Sequence, residues 1–509
     1  MKPISIDRES DTPIYRQIAS QLREAIARGD LRDSERLPTT RSLALRLGIN
    51  RLTVSRAYEE LTEEGAISAH VGRGSFVHAG APVSVQPAPR PAAAPARVAW
   101  GALFSRTTER VADEGLPAAS MGAVAPGVIS FASLFPDPTL FPVEPFRRSL
   151  DSVMRREGHR VLGYGPPAGM PALRKMIAGH LRASGMEVKE SEVVITSGSQ
   201  QGIDLVARAL LDPGDVVLVE NPTYTGAVQV FQSYGAELVG VPVDDEGAIV
   251  SLLEEAVARH RPKLIYLMPN FQNPTSETMS LRRRHALIEL AVSRRVAVLE
   301  DDFGGDLRFD GPSLPALKAL DRGDNVVYLS TFAKKLLPGL RIGWLAAPAV
   351  MAERLTRLKK ITDYSTSLLL QAALHHFILH GDLDRHLANV IDCYRQRRDA
   401  MLSAMKRCFP PEVTWSRPRG GLVVWVTLPA GVDADEVAAA AAERSVLVGR
   451  GDLFYVDGGT RQNLRLTFAQ AGTREIHGGI RVLGEIIEQR IRARRPERRS
   501  APAESLPLI

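Results

Sequence analysis

Lys334 and Arg341 stand close together in STFAKKLLPGLRIGW, residues 330–344. An amine condenses with an aldehyde when nearby cations lower its pKa, and Arg341 and Lys335 are such neighbours. Upstream, several apolar runs each end in a polar group: Thr196-Ser197-Gly198-Ser199-Gln200, Glu220-Asn221-Pro222-Thr223-Tyr224, Asn270-Phe271-Gln272-Asn273-Pro274 and Asp301-Asp302-Phe303. A phosphorylated pyridine aldehyde needs what these groups offer: amides, hydroxyls and a cation for the phosphate, a carboxylate for the ring nitrogen, a donor for the ring oxygen, and a lysine. Ser199 and Gln200 follow a glycine where a helix should begin, a position that favours an anion. Thr331 and Arg341 complete a phosphate cup. Asp301 faces the ring nitrogen, Asn273 donates to the ring oxygen, Tyr224 covers a ring face, and Lys334 takes the aldehyde as a Schiff base.

The elements that must position these groups are legible around them. EVVITSG, DVVLVE, AELVGVPV, KLIYLMP, VAVLEDD, NVVYLS and RIGWLAAP alternate with helical segments, which predicts a mostly parallel sheet with helices on both faces. Ligands gather at the carboxyl ends of such strands. His375, His376 and His380 share a helical stretch but lack carboxylate partners, so no metal site is expected.

A different unit precedes this one. Ile14, Ile18, Leu22 and Ile26 repeat at helical spacing until Gly29; Thr39 caps a short helix running to Leu47; Gly48 makes a turn; a second helix runs from Arg51 to Glu63. Two helices about a glycine turn form a helix-turn-helix, and HVGRGSFV, with Gly72 and Gly74, reads as a hairpin wing. Arg51, Thr53, Ser55 and Arg56 crowd the start of the second helix, where hydroxyls meet phosphates and an arginine can read guanine. Double-stranded DNA is the partner this predicts.

Both units sit in a chain of 509 residues, 44% hydrophobic and 24% charged, the balance of a globular protein with more than one core. Cys393 and Cys408 are too few for a disulfide framework, and neither a signal peptide nor a stretch long enough to span a bilayer is apparent. A cytoplasmic protein without membrane contact is expected. The net charge of +6 permits a polyanionic partner but is small for this length. From Ala79 to Trp100 proline and alanine dominate, as in a semi-stiff tether, and RIRARRPERRS near the end reads as a basic, disordered tail.

LPTTR, LGIN-RLTVSRAYEEL and GRGSFV resemble the winged helix of GntR-type regulators, and the strand-end residues resemble those of fold-type I aminotransferases. Over residues 10 to 78 and 125 to 485 the chain resembles the MocR subfamily, in which the two are fused. The resemblance implies an α/β fold: a winged helix-turn-helix at 10–79, a linker at 80–118, a three-layer αβα aminotransferase-like domain with a small C-terminal α+β subdomain at 119–489, and a tail at 490–509. It implies pyridoxal 5'-phosphate as cofactor, with Lys334 through Arg341 matching the subfamily's Lys followed by Leu-x-Pro-Gly-Leu-Arg. It further implies a head-to-tail homodimer in which Tyr164 reaches the partner's cofactor phosphate, Arg465 as the group that takes a ligand carboxylate, and Arg41, Asn50, Arg51 and Thr53 as DNA contacts.

Three departures stand out. Leu52 occupies a reading position where a polar residue is usual. Phe303 stands where the family has a tyrosine bonding the cofactor's phenolate oxygen, a loss of about 1.5 to 3 kcal/mol. Ser276 replaces the glycine of Asn-Pro-Thr-Gly. The function expected is a transcription regulator sensing pyridoxal phosphate or an amino compound. A true aminotransferase with an accessory DNA-binding domain, or an aminotransferase fold used only for dimerisation, are the alternatives.

Overall fold

The N-terminal helices begin and end at their caps. In the computed structural model, which describes residues 4–7, 10, 12–70, 74–78, 98, 100, 103–110 and 126–494, helix α1 spans Ile14–Ala27, α2 Thr40–Leu47 and α3 Arg51–Glu63. The Thr39 hydroxyl accepts from the amide of Ser42, and Gly48 turns the chain in the left-handed region at φ 63°. Ile18, Ala19 and Leu22 of α1 pack with Val54, Ala57, Tyr58 and Leu61 of α3 in one buried cluster. Arg23 ties the same helices together at the surface through Glu64. Strands β1, Ile67–His70, and β2, Gly74–Val77, pair antiparallel as the wing hairpin. Gly72, most of the expected linker and the tail beyond Arg494 lie outside the described residues.

Two compact units divide the chain, Met1–Ala99 and Trp100–Ile509. A short helix, Arg106–Arg110, falls inside the segment expected to be linker. It belongs to the second unit, where the Arg110 guanidinium lies so near Gly235 that a Cβ there would meet Nη1 at 2.4 Å.

The second unit holds two sheets. In chain order its strands are β3 Ile129–Phe131, β4 Val193–Thr196, β5 Val216–Asn221, β6 Glu237–Asp244, β7 Gly247–Ala248, β8 Leu264–Leu267, β9 Ala297–Asp301, β10 Val326–Thr331, β11 Gly343–Ala346, β12 Thr414–Trp415, β13 Val423–Thr427, β14 Val446–Arg450 and β15 Asn463–Thr467. The large sheet runs β4-β11-β10-β9-β8-β5-β6-β7. From β10 through β6 the pairing is parallel, while β11 lies antiparallel to both its neighbours. Every residue of β4, β8, β10 and β11 is buried, the pattern of strands covered on both faces.

The small sheet runs β12-β13-β15-β14-β3. Its edge strand β3 is the first strand of the unit and pairs parallel with β14, Phe131 opposite Val448. The small subdomain is therefore not purely C-terminal, as the sequence suggested: Phe131 is buried in its core beside Val446, Leu464 and Phe468. The last helix extends to Arg494, into residues read as tail.

Candidate functional site

The carboxyl ends of β4, β5, β8, β9 and β10 open on a cavity of about 410 Å³ whose wall includes Ser199, Gln200, Tyr224, Asn273, Asp301, Thr331, Lys334, Arg341 and Arg465. Nine residues singled out from the sequence thus meet in one place. Tyr164 is not among them; it is 87% exposed and lies against Tyr364, ring centroids 5.0 Å apart.

Ser199 opens the helix Ser199–Leu210 immediately after Gly198, whose φ is 92°. Free amides and the helix dipole at such an end attract an anion. Bare backbone is a steric requirement there: a Cβ at Gly198 would meet Arg341 Nη2 at 2.7 Å, and one at Gly343 would meet the Gly198 carbonyl carbon at 2.9 Å. Arg341 sits at φ 51° and donates to the Ser197 carbonyl at 3.0 Å, which holds its guanidinium across the helix start. The Thr331 hydroxyl is already engaged, donating to the Ile342 carbonyl at 3.3 Å and accepting from the amide of Ala333 at 3.1 Å.

Asp301 is buried at the end of β9. Its Oδ2 accepts from the Tyr266 hydroxyl at 2.8 Å, whereas Oδ1 has no hydrogen-bond partner among the described residues. Burial raises its pKa to about 7, against the lowering pull of Tyr266 and with the help of Asp302. An orphaned, buried carboxylate oxygen of this kind suits a protonated ring nitrogen, so the donor set fits a pyridinium. Asp302 points the other way, accepting from Asn270 and the Tyr328 hydroxyl.

The Lys334 amine is lowered to about 8 by burial first, then by Arg465 and Arg341. Lys335 takes no part in this, contrary to expectation, because its amine pairs with Asp306 and lies over the rings of Phe332 and Trp344. Lys334 Nζ donates to the Leu134 carbonyl at 2.7 Å, and Arg465 Nη2 donates to the Ala132 carbonyl. One short segment after β3 is thus held by both cations. Arg465 also reaches Asn273 Oδ1 at 3.3 Å, leaves its Nε unpaired among the described residues, and rests over the Phe454 ring at 4.8 Å. Burial lowers its pKa to about 10.

Tyr224 caps the cavity and donates to Gln200 Oε1 at 3.2 Å; Gln200 in turn donates to the Gly226 carbonyl at 2.7 Å. Phe303 lines the cavity without a hydroxyl. Ser276 adopts φ 65°, the conformation for which glycine is usual, and its hydroxyl donates to the Val423 carbonyl. That bond offsets the steric cost and ties the Asn273 loop to the small sheet.

Sequence reading missed three contributors. Tyr266 was hidden in an apolar strand, although pairing Tyr266 with Leu299 puts it beside the end of β9. Arg284, fully buried, donates to the carbonyls of Met279, Pro269 and Pro315 and to Asn270 Oδ1, and so fixes the loop that carries Asn273. The segment Ala132–Phe135 carries no motif at all. Among the histidines, His376 Nδ1 lies 3.1 Å from the Ser149 hydroxyl and its ring stacks on His380 at 4.0 Å.

On the N-terminal unit, Arg41 and Arg51 are exposed and Thr53 and Ser55 half-buried along the first turns of α2 and α3. Asn50 spends its side-chain oxygen as the α3 cap, accepting from the amide of Leu52 at 2.9 Å, which leaves its amide nitrogen for a contact. Leu52 is 74% exposed. The Arg56 guanidinium lies 4.4 Å over the Tyr15 ring, a structural engagement.

Residues 138–483 match the family Aminotransferase class I and II, and residues 14–77 match Bacterial regulatory proteins, gntR family. An uncharacterized HTH-type transcriptional regulator of Bacillus subtilis, YisV, is 33% identical over 94% of this chain and 96% of its own length. The probable rhizopine catabolism regulatory protein MocR of Rhizobium meliloti is 33% identical over 79% of each chain. Among solved structures, LysN, the alpha-aminoadipate aminotransferase of Thermus thermophilus complexed with N-(5'-phosphopyridoxyl)-L-leucine, superposes with a TM-score of 0.73 at 34% identity, covering 78% of this chain and 100% of its own. Among the described residues no helix is long and apolar enough to cross a membrane.

Proposed function

The chain belongs to the aminotransferase class I and II family and carries a gntR-type DNA-binding domain ahead of it, and from that premise we propose that pyridoxal 5'-phosphate and an amino-compound effector in its pocket govern how it engages operator DNA. The convergence of Lys334, Asp301, Asn273, Tyr224 and Arg465 on one cavity, in a chain with a helix-turn-helix, carries the reading. Bound there, pyridoxal phosphate supplies an aldehyde and an electron sink. Lys334 is the amine that would hold it, Asp301 Oδ1 would accept from its ring nitrogen, and the amides beside Ser199 and Gln200 would take its phosphate with Arg341 and Thr331. Asn273 turns its amide nitrogen to the ring oxygen while its oxygen keeps Arg465 in position. Arg465 then receives the effector's carboxylate.

Occupancy competes with the segment after β3. Whatever engages Lys334 takes it from the Leu134 carbonyl, and a carboxylate on Arg465 displaces the Ala132 carbonyl. An effector thus acts by differential contact with two arrangements of the same segment. In our reading the protein is a cytoplasmic head-to-tail homodimer in which Tyr164 of the partner subunit completes the phosphate cup, with the reader at 10–79, a linker at 80–118, the sensing domain at 119–489 and a basic tail at 490–509.

The test is fluorescence anisotropy of an operator fragment with added pyridoxal phosphate, then with a panel of amino acids and amines. An effector should shift operator affinity in wild-type protein, and Arg465→Ala should require roughly ten to a hundred times more of it, the worth of one charged hydrogen-bonded pair. If pyridoxal phosphate alone changes binding and no amine does, the effector half of the proposal is wrong. On the DNA side, Arg51→Ala should weaken operator binding by roughly 1 to 3 kcal/mol while leaving non-specific binding less affected. Equal loss on operator and random DNA would reduce Arg51 to a phosphate contact.

A second reading, an aminotransferase in its own right, has one observation in its favour: lysine, ring carboxylate and substrate arginine are all present in the cavity. Phe303 weighs against it, since no hydroxyl faces the ring oxygen there. Sustained turnover of an amino donor and a keto acid would establish it, where a regulator completes a half-reaction at most.

A further inference from the structure

A second cavity of about 340 Å³ opens where the β6–β7 turn and the loop after β8 meet the small sheet, and it shares no lining residue with the first. Three carboxylates and three aromatic rings line it: Asp244, Asp245, Glu277, Trp415, Trp425 and Tyr455. Asp244 is spent on the guanidinium of Arg283. Asp245 and Glu277 have no ion-pair or side-chain hydrogen-bond partner among the described residues. Burial, then Asp245 and Asp244, raise Glu277 to about 7, and Arg419 acts on it only through space. Trp425 is 9% exposed, yet its indole N–H has no hydrogen-bond partner among the described residues. Asp245 is exposed and Glu277 half-buried, so a cation entering this cavity meets two unpaired carboxylates, one of them partly withdrawn from water, with Trp415 and Trp425 in the same wall.

We propose that this cavity binds a small alkylammonium ion, its charge facing Asp245 and Glu277 and its alkyl groups resting on Trp415 and Trp425. Aromatic faces attract such ions through the ring quadrupole, most strongly when the site is partly desolvated. Trp425 N–H is then free to bond a hydroxyl or carbonyl on the ligand's tail. The site also touches the first one: Trp425 meets Phe454 edge-on at 5.9 Å, and Phe454 supports the guanidinium of Arg465. That coupling rests on the function proposed above, whereas the binding does not.

The probes are choline and its uncharged isostere 3,3-dimethyl-1-butanol, titrated by calorimetry and tryptophan fluorescence into the full-length protein without added cofactor. Choline should bind saturably, and the isostere at least about tenfold more weakly. Glu277→Gln and Asp245→Asn should each weaken choline by about tenfold with operator binding unchanged. Trp415→Leu should weaken choline binding and diminish the fluorescence response, leaving the part that Trp425 reports. Equal binding of the isostere, no saturable choline heat, or full choline affinity in both carboxamide variants would each overturn the assignment. If choline binds as expected but leaves effector affinity unaltered, the site stands and its coupling to Arg465 falls.

Discussion

Lys334→Ala protein, incubated with pyridoxal phosphate and desalted, should come off the column colourless, while wild-type protein stays yellow. The argument is geometric before it is chemical. Lys334 is the amine in the cavity that holds Asp301 and Arg341, whereas Lys335 does not line that cavity and is tied to Asp306. Lowered to about 8, the Lys334 amine is roughly one quarter neutral near pH 7.5, far more than an ordinary lysine, and the neutral amine is the form that attacks an aldehyde. Without it only non-covalent contacts remain. Those still contribute, so the variant should bind the cofactor weakly and reversibly, and spectra taken before desalting would register it. A variant that kept its colour would mean a different lysine holds the cofactor, and the pocket assignment would fail.

Asp301→Asn should produce two opposite effects. Cofactor affinity should drop roughly ten- to a hundredfold, since a neutral amide replaces the carboxylate in a charge-assisted hydrogen bond. Cofactor-free protein, by contrast, should become more stable at pH 8. Burial lifts Asp301 from 3.8 to about 7 in the folded chain. The folded state therefore holds a proton that the unfolded state has lost between roughly pH 4 and 7, so stability declines as pH rises through that window and stays lower above it. The asparagine avoids this penalty, a gain of at most about 4 kcal/mol at pH 8 that shrinks toward pH 4. Glu220, raised to about 8, and Glu300, raised to about 7, are untouched and should leave a residual decline. Denaturant unfolding at pH 5.5 and pH 8 checks the sign. A variant less stable than wild type at pH 8 would show that Tyr266 compensates the charge more fully than burial penalises it.

Local signals were legible in the sequence, and long-range ones were not. Thr39, Gly48 and the α3 boundaries could be read because a cap or a turn is decided within a few residues. The strand ends could be read for the same reason, and eight of the nine pocket residues lie at or just beyond them, whereas Arg465 came from the family resemblance alone. By contrast, β3 has only three residues, and its pairing with β14 depends on a partner at the other end of the unit. Tyr266 looked like one more apolar position until β8 and β9 were set in register. Lys335 was assigned to the wrong side because adjacent residues share a sequence neighbourhood and not a direction. Asn50 illustrates a further limit: the same side chain suits DNA contact and helix capping, and only the fold reveals that its oxygen is committed to the cap.

The splice of β3 into the small sheet has a mechanical consequence. A strand bonded along its length to β14 moves with that sheet as one rigid piece. Any swing of the small subdomain is therefore converted into a displacement of the covalent chain at Ile129, just downstream of the stretch that leads back to the N-terminal unit. Here the first strand of the unit and its last ones, β13 to β15, are joined in one sheet, so the two ends of the unit's chain are carried by the same body.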